Sequence, residues 1–404
     1  MGGLGQVNTL MPIDKDTFCV APWFRVFVDS DKKIAPCCLF KDTQYNYNQV
    51  EEYFNSDHIN DVRNDLLNGV KNKNCAKCWH KEKNGHRSLR KSYNENIVKR
   101  LDYPLIDQIK KPELSKVNSF DITLGNLCNL KCMMCNPGLS SQILAEANKH
   151  PELKDRYNGP HSKKNYFNYN QKEFDWSKGE EFVDWCNRYL PGAIHIRFTG
   201  GEPFINPQFL KFLDSISDEQ KSKCTLDFTT NLTVVNAKIL EYFAKFKEVW
   251  LSVSVEGYGE THEYLRFGHS WDTLRNNILM LQSIEKSNLT LSINHVVQAP
   301  SYHSIIEMTN FFDDQLLEID PIFLTDPEHF HISALTKKAK QKFIKDTDNY
   351  DGLNNQFIQF VRAVSTKHMH QDGRLTSELV DHLSQFDRVR GNDYKKIIPS
   401  ANII

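Results

Sequence analysis

The stretch Cys128-Asn129-Leu130-Lys131-Cys132-Met133-Met134-Cys135 sets three cysteines in C-x3-C-x2-C spacing, with no fourth close by. Four cysteines saturate a [4Fe-4S] cluster, which then mainly passes electrons, whereas three leave one iron open to a substrate or cofactor. The spacing therefore points to cluster chemistry performed on a bound ligand, with Cys128, Cys132 and Cys135 as metal-binding residues.

Outward from this loop, short apolar runs alternate with longer helical stretches, the pattern of repeated β-α units around a parallel sheet. Strands are predicted at 119–124, 193–199, 224–230, 248–255, 289–297 and 321–324. In five of them an apolar parity alternates with a polar one, as where Ile194, Ile196 and Phe198 alternate with His195, Arg197 and Thr199. Helices cover the apolar set, so the polar set faces inward. Six strands fit a partial (β/α)6 barrel of the α/β class, and a polar interior fits a wet cavity that admits a sizeable substrate, because a closed eight-stranded barrel fills its centre with apolar side chains. An antiparallel sheet with one solvated face would share the alternation.

Ligands gather at the C-terminal ends of such strands. There the chain places the cysteine loop, then Thr199-Gly200-Gly201-Glu202-Pro203, Thr229-Thr230-Asn231 and Val253-Ser254-Val255-Glu256-Gly257. Paired glycines let backbone approach a ligand closely. A carboxylate such as Glu202 accepts hydrogen bonds from an ammonium group.

The cysteine spacing resembles the signature of the radical S-adenosylmethionine (SAM) enzymes, and the resemblance covers about residues 115–325. It implies that the open iron is chelated by the amino and carboxylate groups of SAM. It further implies that reduction cleaves SAM to a 5'-deoxyadenosyl radical, which abstracts hydrogen from an unactivated carbon. Gly200-Gly201-Glu202-Pro203 resembles the family motif for the SAM amino group, and Asn231 closes a turn similar to the family's Thr-Asn turn. Ser254 lies in a segment similar to Ser-Ile-Asp-Gly, whose serine contacts SAM, with Glu256 replacing the aspartate. Arg266 matches a downstream arginine able to pair bidentately with the methionine carboxylate, and reads equally as a surface arginine on a helix. Met134 stands where most members carry an aromatic residue beside the adenine, a space that a flexible thioether fills. The resemblance assigns no catalytic side chain.

Cys19, Cys37, Cys38, Cys75 and Cys78 form a second set. Its layout, Cys19-x2-Pro22-Trp23, then Asp31-x5-Cys37-Cys38, then Cys75-x2-Cys78, resembles half of the SPASM auxiliary-cluster domain, the twitch domain, over about residues 15–85. A hairpin at 24–28 and 33–36 would carry the first ligands, with Lys32 at a turn position that is usually glycine. Cys19, Cys37, Cys75 and Cys78 fit the resemblance, with Cys38 a neighbour, and imply a second auxiliary iron-sulfur cluster of the [4Fe-4S] kind. Four-cysteine zinc is the alternative, since zinc takes the same ligands. Most such domains follow the barrel, whereas this one precedes it.

The 404 residues allow three regions: a twitch-like domain at 1–100, the radical SAM partial barrel at 101–335 and a C-terminal helical cap at 336–404. The 50 basic and 51 acidic residues balance, which argues against a global pull toward nucleic acid or acidic lipid. Ten Lys or Arg in 71–100, from Lys71 to Arg100, face only Glu82 and Glu95, and read as a solvated face or as cations offsetting a thiolate-ligated cluster. Ten cysteines without a secretory signal or a membrane-length apolar run imply a soluble cytoplasmic protein. Cys186, Cys224 and His295 read as structural. The resemblances together imply an oxidoreductase or modifying enzyme acting on a peptide, with a flavodoxin or ferredoxin as reductant. A small polar substrate such as a sugar is the alternative within enzymes, and a metal-stabilised nucleic-acid-binding protein the alternative outside them.

Overall fold

The computed structural model of the chain describes residues 16–83, 87–97, 105–157, 176–284, 288–324 and 327–403. Lys99 and Arg100 of the basic run, and the expected boundary at 100–101, lie outside the described residues. The strands are β1 (Arg25–Val28), β2 (Lys33–Ala35), β3 (Tyr45–Asn46), β4 (Ser119–Thr123), β5 (Lys131–Cys132), β6 (His195–Thr199), β7 (Thr225–Thr230), β8 (Glu248–Ser254), β9 (Arg266–Phe267), β10 (Leu289–Val297) and β11 (Ile319–Phe323). Nine form one sheet in the order β11-β10-β8-β7-β6-β4-β1-β2-β3, and β5 pairs with β9 separately.

From β4 to β11 the six consecutive strands run parallel, each step carrying at least one helix between strands. The apolar parity meets those helices. Phe198 of β6 packs on Phe209 and Phe212 of the helix Pro207–Ser215 at ring distances of 5.5 and 5.4 Å, and Phe228 of β7 meets Phe243 at 5.6 Å. Fully burying an aromatic side chain of this size contributes roughly 1.5–3 kcal/mol. The last strand starts two residues before the predicted 321, and Pro321 sits inside it, opposite His295. Proline is tolerated there because β11 is an edge strand that needs donors on one side only.

Register sets the polar parity in rows. Asp121, Arg197, Asp227 and Trp250 lie side by side, and Thr229, Ser252 and Ser292 form the next row toward the C-terminal ends. The charges pair within this face: Arg25 with Asp121 at 2.7 Å, and Asp227 with both His195 and Arg197 at 3.5 Å.

The N-terminal hairpin is continuous with this sheet. β1 pairs in parallel with β4, Val28 opposite Ile122, and antiparallel with β2. Lys32 takes φ 63°, a left-handed turn conformation that glycine adopts freely. Asp29 holds the turn, its Oδ1 accepting from the Asp31 and Lys33 amides at 2.8 Å each. At the other end, the helices Asn355–Lys367 and Gly373–Arg390 bury Phe357, Val361, Leu379 and Phe386. No helix among the described residues is long and apolar enough to cross a membrane.

Candidate functional site

The cysteine loop follows β4 and is fixed by its own backbone. Ser140 Oγ donates to the Leu130 carbonyl at 2.7 Å, Asn126 Nδ2 to that of Pro137 at 2.9 Å, and the Cys135 amide to that of Cys132 at 3.1 Å. Cys128, Cys132 and Cys135 are close enough to influence one another electrostatically. Burial pushes the Cys128 thiol up to about 12 and raises Cys132 and Cys135 as well, so the bare site favours neutral thiols. Donors nevertheless point at the sulfurs: the Leu130 amide and Asn231 Nδ2 lie 3.5 and 3.9 Å from Cys128 Sγ, and Arg266 Nη1 lies 3.9 Å from Cys132 Sγ. Such donors stabilise thiolates, and metal ligation displaces the thiol protons.

Against this loop lies the turn after β6. A Cβ at Gly200 would come within 2.2 Å of Thr123 Cγ2, and one at Gly201 within 2.2 Å of the Leu127 carbonyl oxygen. Both glycines have positive φ, 77° and 54°. Close approach therefore requires glycine twice, and it is sealed by the Glu202 amide donating to that Leu127 carbonyl at 2.7 Å. Pro203 continues the turn as a buried residue opening a short helical turn, Pro203–Ile205.

Glu202 is buried, and its carboxylate accepts from the Asn231 amide at 2.6 Å, Thr230 Oγ1 at 2.7 Å and the Phe204 amide at 3.2 Å. Burial raises its pKa, and these donors pull the other way. Asn231 Nδ2 also donates to Asn129 Oδ1 at 3.0 Å, joining the end of β7 to the cysteine loop.

Arg266 lies at the start of β9, opposite Cys132 of β5, with its side chain 12 % exposed. It is an inward-facing arginine, not a surface one. Its Nη2 donates to Glu256 Oε1 at 3.1 Å, and Glu256 Oε2 accepts from Gln298 Nε2 at 3.0 Å. Burial pushes Glu256 up to about 7, while Arg266 draws it down. Ser254 is a buried residue ending β8, level with Asn294 of β10. Met134 is half-buried against the group formed by Cys128, Leu130 and Cys132. The structure thus gathers Gly200, Gly201, Glu202, Asn231 and Arg266 directly around the three cysteines. The donor set and the glycine cradle fit a cluster with a ligand on its open side.

The N-terminal cysteines form a second group. Cys19 lies beside Cys75 and Cys78, and Cys37 beside Cys19 and Cys78, with Cys75 at the end of the turn Lys73–Cys75 and Cys78 on the helix Ala76–Lys83. Burial pushes Cys19 and Cys75 up to about 12. Arg90, from the basic run, is buried beside them, paired with Glu82 at 2.6 Å and donating to the Phe18 carbonyl at 2.7 Å. Cys38 lies near Cys37, and the charged groups that influence it are Asp121, Arg25 and Arg197. Among the described residues no three His, Cys, Asp or Glu side chains converge as ligands of a single metal ion would.

A family model described as the radical SAM superfamily matches residues 122–311. Those residues are similar to the radical SAM superfamily. The radical SAM cyclopropyl synthase TigE of Paramaledivibacter caminithermalis is 23 % identical, over 75 % of this chain and 58 % of its own length. An uncharacterized protein of Methanocaldococcus jannaschii is 31 % identical over 24 % of this chain and 34 % of its own. The chain therefore spans 58 % and 34 % of the length of these relatives. The crystal structure of Streptococcus suis SuiB bound to its precursor peptide SuiA aligns at 15 % identity and TM-score 0.36, covering 70 % of this chain and 61 % of that one. The family match and the relatives support an enzyme.

Several site residues escaped sequence reading. Glu256 was visible only as a replaced aspartate, and its pairing with Arg266 needed the turn between them. Arg390 of the last helix gave no signal: it pairs with Glu146 at 2.7 Å and lies 3.4 Å from Met133 Sδ, bracing the cysteine loop from behind. Cys186 and Cys224 are buried, and His295 is buried with Nδ1 2.8 Å from the Val255 carbonyl.

Proposed function

We propose that the chain is a radical SAM enzyme in which Cys128, Cys132 and Cys135 hold the catalytic [4Fe-4S] cluster. In this reading the turn Gly200–Pro203, Asn231, Ser254 and Arg266 hold SAM, with Met134 beside its adenine. When bound, cluster and SAM together supply a reducing electron and the means to abstract a hydrogen atom. The observation that carries the reading is the convergence of three cysteines, the Gly200-Gly201 cradle and the Glu202 carboxylate at the C-terminal ends of parallel strands. The chain's own part is to orient: Glu202, held by three donors, presents a fixed carboxylate, and Arg266 fixes a cation beside Cys132.

The substrate in this reading is a peptide lying on the polar face of the sheet. Its support is the similarity of the N-terminal cysteine layout to SPASM and twitch domains, together with an interior lined by charged and hydroxyl side chains. Cys19, Cys37, Cys75 and Cys78 would hold the auxiliary cluster, and a flavodoxin or ferredoxin would supply electrons.

The test is chemical. Anaerobically reconstituted, reduced protein should release 5'-deoxyadenosine from SAM. Glu202→Ala should weaken SAM binding by roughly 1–3 kcal/mol while leaving iron content intact. Iron-loaded protein that binds no SAM and releases no 5'-deoxyadenosine would overturn the reading.

A further inference from the structure

A cavity of about 710 Å³ opens between the helix Glu260–Leu265, the turn after β9 and the C-terminal segment 391–397. None of the residues proposed to hold the cluster or SAM lines it. Its charged lining is Glu260, Glu263 and Asp393 against Lys396, and none of the three carboxylates has an ion-pair partner among the described residues.

His269 lines the same cavity while only 3 % exposed, and its Nε2 has no partner. Hydrogen bonding fixes what that nitrogen offers. The Glu256 amide can only donate, and it lies 3.3 Å from His262 Nδ1. Burial depresses both imidazoles, His269 to about 4, so both rings are neutral near physiological pH. A neutral ring carries one N–H. His262 therefore holds its proton on Nε2 and donates it to His269 Nδ1 at 3.1 Å. His269 is left with its own proton on Nε2, a buried donor with nothing to receive it. Buried donors are ordinarily satisfied, so this one marks a place for an acceptor. The same relay disfavours a metal ion, which would need a lone pair on Nε2 and would set donor against donor back to the Glu256 amide. Carboxylate and phosphate oxygens are repelled by the three acids. What remains is a neutral acceptor carried beside a cation.

We propose that this cavity binds a basic peptide segment, with a backbone carbonyl on His269 Nε2 and a Lys or Arg side chain among Glu260, Glu263 and Asp393. A peptide bond supplies the neutral acceptor, and a basic residue supplies the cation next to it. The relay ends on the amide of Glu256, the partner of Arg266, so a ligand on His269 touches the candidate site through two imidazoles. The assignment adds a second contact to the proposed function, and it rests on that reading for calling the peptide a substrate.

The test uses the full chain reconstituted with iron and sulfide, without SAM, and three end-blocked pentapeptides: Gly-Gly-Arg-Gly-Gly and its counterparts with Leu or Glu at the centre. Calorimetric titration at low salt should show the arginine peptide binding about tenfold more tightly than the leucine peptide, and the glutamate peptide not at all. Glu260→Gln, at an exposed position, should cut the arginine preference about threefold and leave the leucine peptide unchanged. His269→Phe should weaken the arginine and leucine peptides alike, by about fivefold, because both present the same carbonyl. Equal affinity for the arginine and leucine peptides, or an arginine preference untouched by Glu260→Gln, overturns the proposal. Glucosamine binding more tightly than the arginine peptide overturns it in favour of an amino sugar. The wild-type comparison and Glu260→Gln decide even if His269→Phe fails to fold. Release of 5'-deoxyadenosine without an arginine preference would sink this site and leave the SAM reading standing, and the reverse result would sink the SAM reading alone.

Discussion

Arg266 faces Cys132 across the short β5–β9 pair, the two being register partners with Nη1 3.9 Å from Sγ. The other arm of the same guanidinium reaches Glu256 at 3.1 Å, so one cation ties the end of β8 to the cysteine loop. All three groups are largely out of water, and each depends on the others. Glu256 is 1 % exposed, and without its cation the carboxyl has only the Gln298 amide and the Val296 N–H to offset burial.

Arg266→Ala should therefore destabilise the protein by about 3–5 kcal/mol, the usual consequence of removing one partner from a buried pair. The loss should grow with pH. In the wild type burial pushes Glu256 up to about 7, and above that the carboxylate is paired with Arg266. In the variant the folded state must keep the carboxyl protonated to a higher pH, while the unfolded chain ionises at its ordinary value, so the added cost rises by about 1.4 kcal/mol per pH unit. Urea denaturation at pH 6 and pH 8 measures this, and an equal cost at both would show that Glu256 is not coupled to Arg266.

Gly201→Ala should disrupt the junction between the β6 turn and the cysteine loop. The new Cβ would sit 2.2 Å from the Leu127 carbonyl oxygen at φ 54°, so the backbone itself must move. Gly192 has φ 86° but nothing within 4 Å of its Cβ position, and Gly192→Ala isolates the cost of positive φ, about 1–2 kcal/mol. Iron uptake and SAM affinity should fall in Gly201→Ala and hold in Gly192→Ala. Retained SAM affinity in the first variant would mean that the turn is not part of the binding site.

Much of this geometry was readable from residue pattern because local chemistry dictated it. The period-2 alternation in β6, β7 and β8 separates helix-facing Phe198, Phe228 and Leu251 from polar-face Arg197, Asp227 and Ser252, since one face must be covered by helices. What pattern could not reveal were contacts set by chain crossings. The pairing of β1 with β4 brings Arg25 onto Asp121, and nothing within either segment announces the other. Arg390 reaches Glu146 over a separation of 244 residues, from a helix whose own periodicity speaks only for its apolar side. Lys32 was legible as an oddity in a glycine position, and its φ of 63° is the conformation that oddity implies.

Replacing Cys75 and Cys78 together with alanine tests the proposed auxiliary cluster. Two [4Fe-4S] clusters would give about eight irons per chain, and the double variant should keep about four. It should still release 5'-deoxyadenosine, because Cys128, Cys132 and Cys135 lie on a separate loop. A metal site that organises its surroundings also contributes to folding, so circular dichroism must first show native helix content. Zinc in place of iron at this site, found by metal analysis, would remove the auxiliary cluster and leave a structural centre.

Acid should destabilise the protein through its buried histidines, His295 foremost. It is fully buried, its Nδ1 lies 2.8 Å from the Val255 carbonyl, and its Nε2 has no partner, so burial depresses its pKa to about 4. The unfolded chain protonates this imidazole near 6.5 while the folded state resists until about 4. Between those values the unfolded state binds more protons, so the contribution of His295 is complete above pH 6.5 and disappears as pH falls toward 4. A depression of this size corresponds to roughly 3 kcal/mol at 1.36 kcal/mol per unit. His269, His303 and His331 are also depressed to about 4 by burial and should steepen the wild-type loss. His295→Asn keeps an N–H at the δ position for the Val255 carbonyl and does not titrate. Its urea-unfolding free energy should therefore fall less than that of the wild type between pH 6.5 and 4, and parallel curves for the two proteins would rule out this histidine as a source of acid sensitivity.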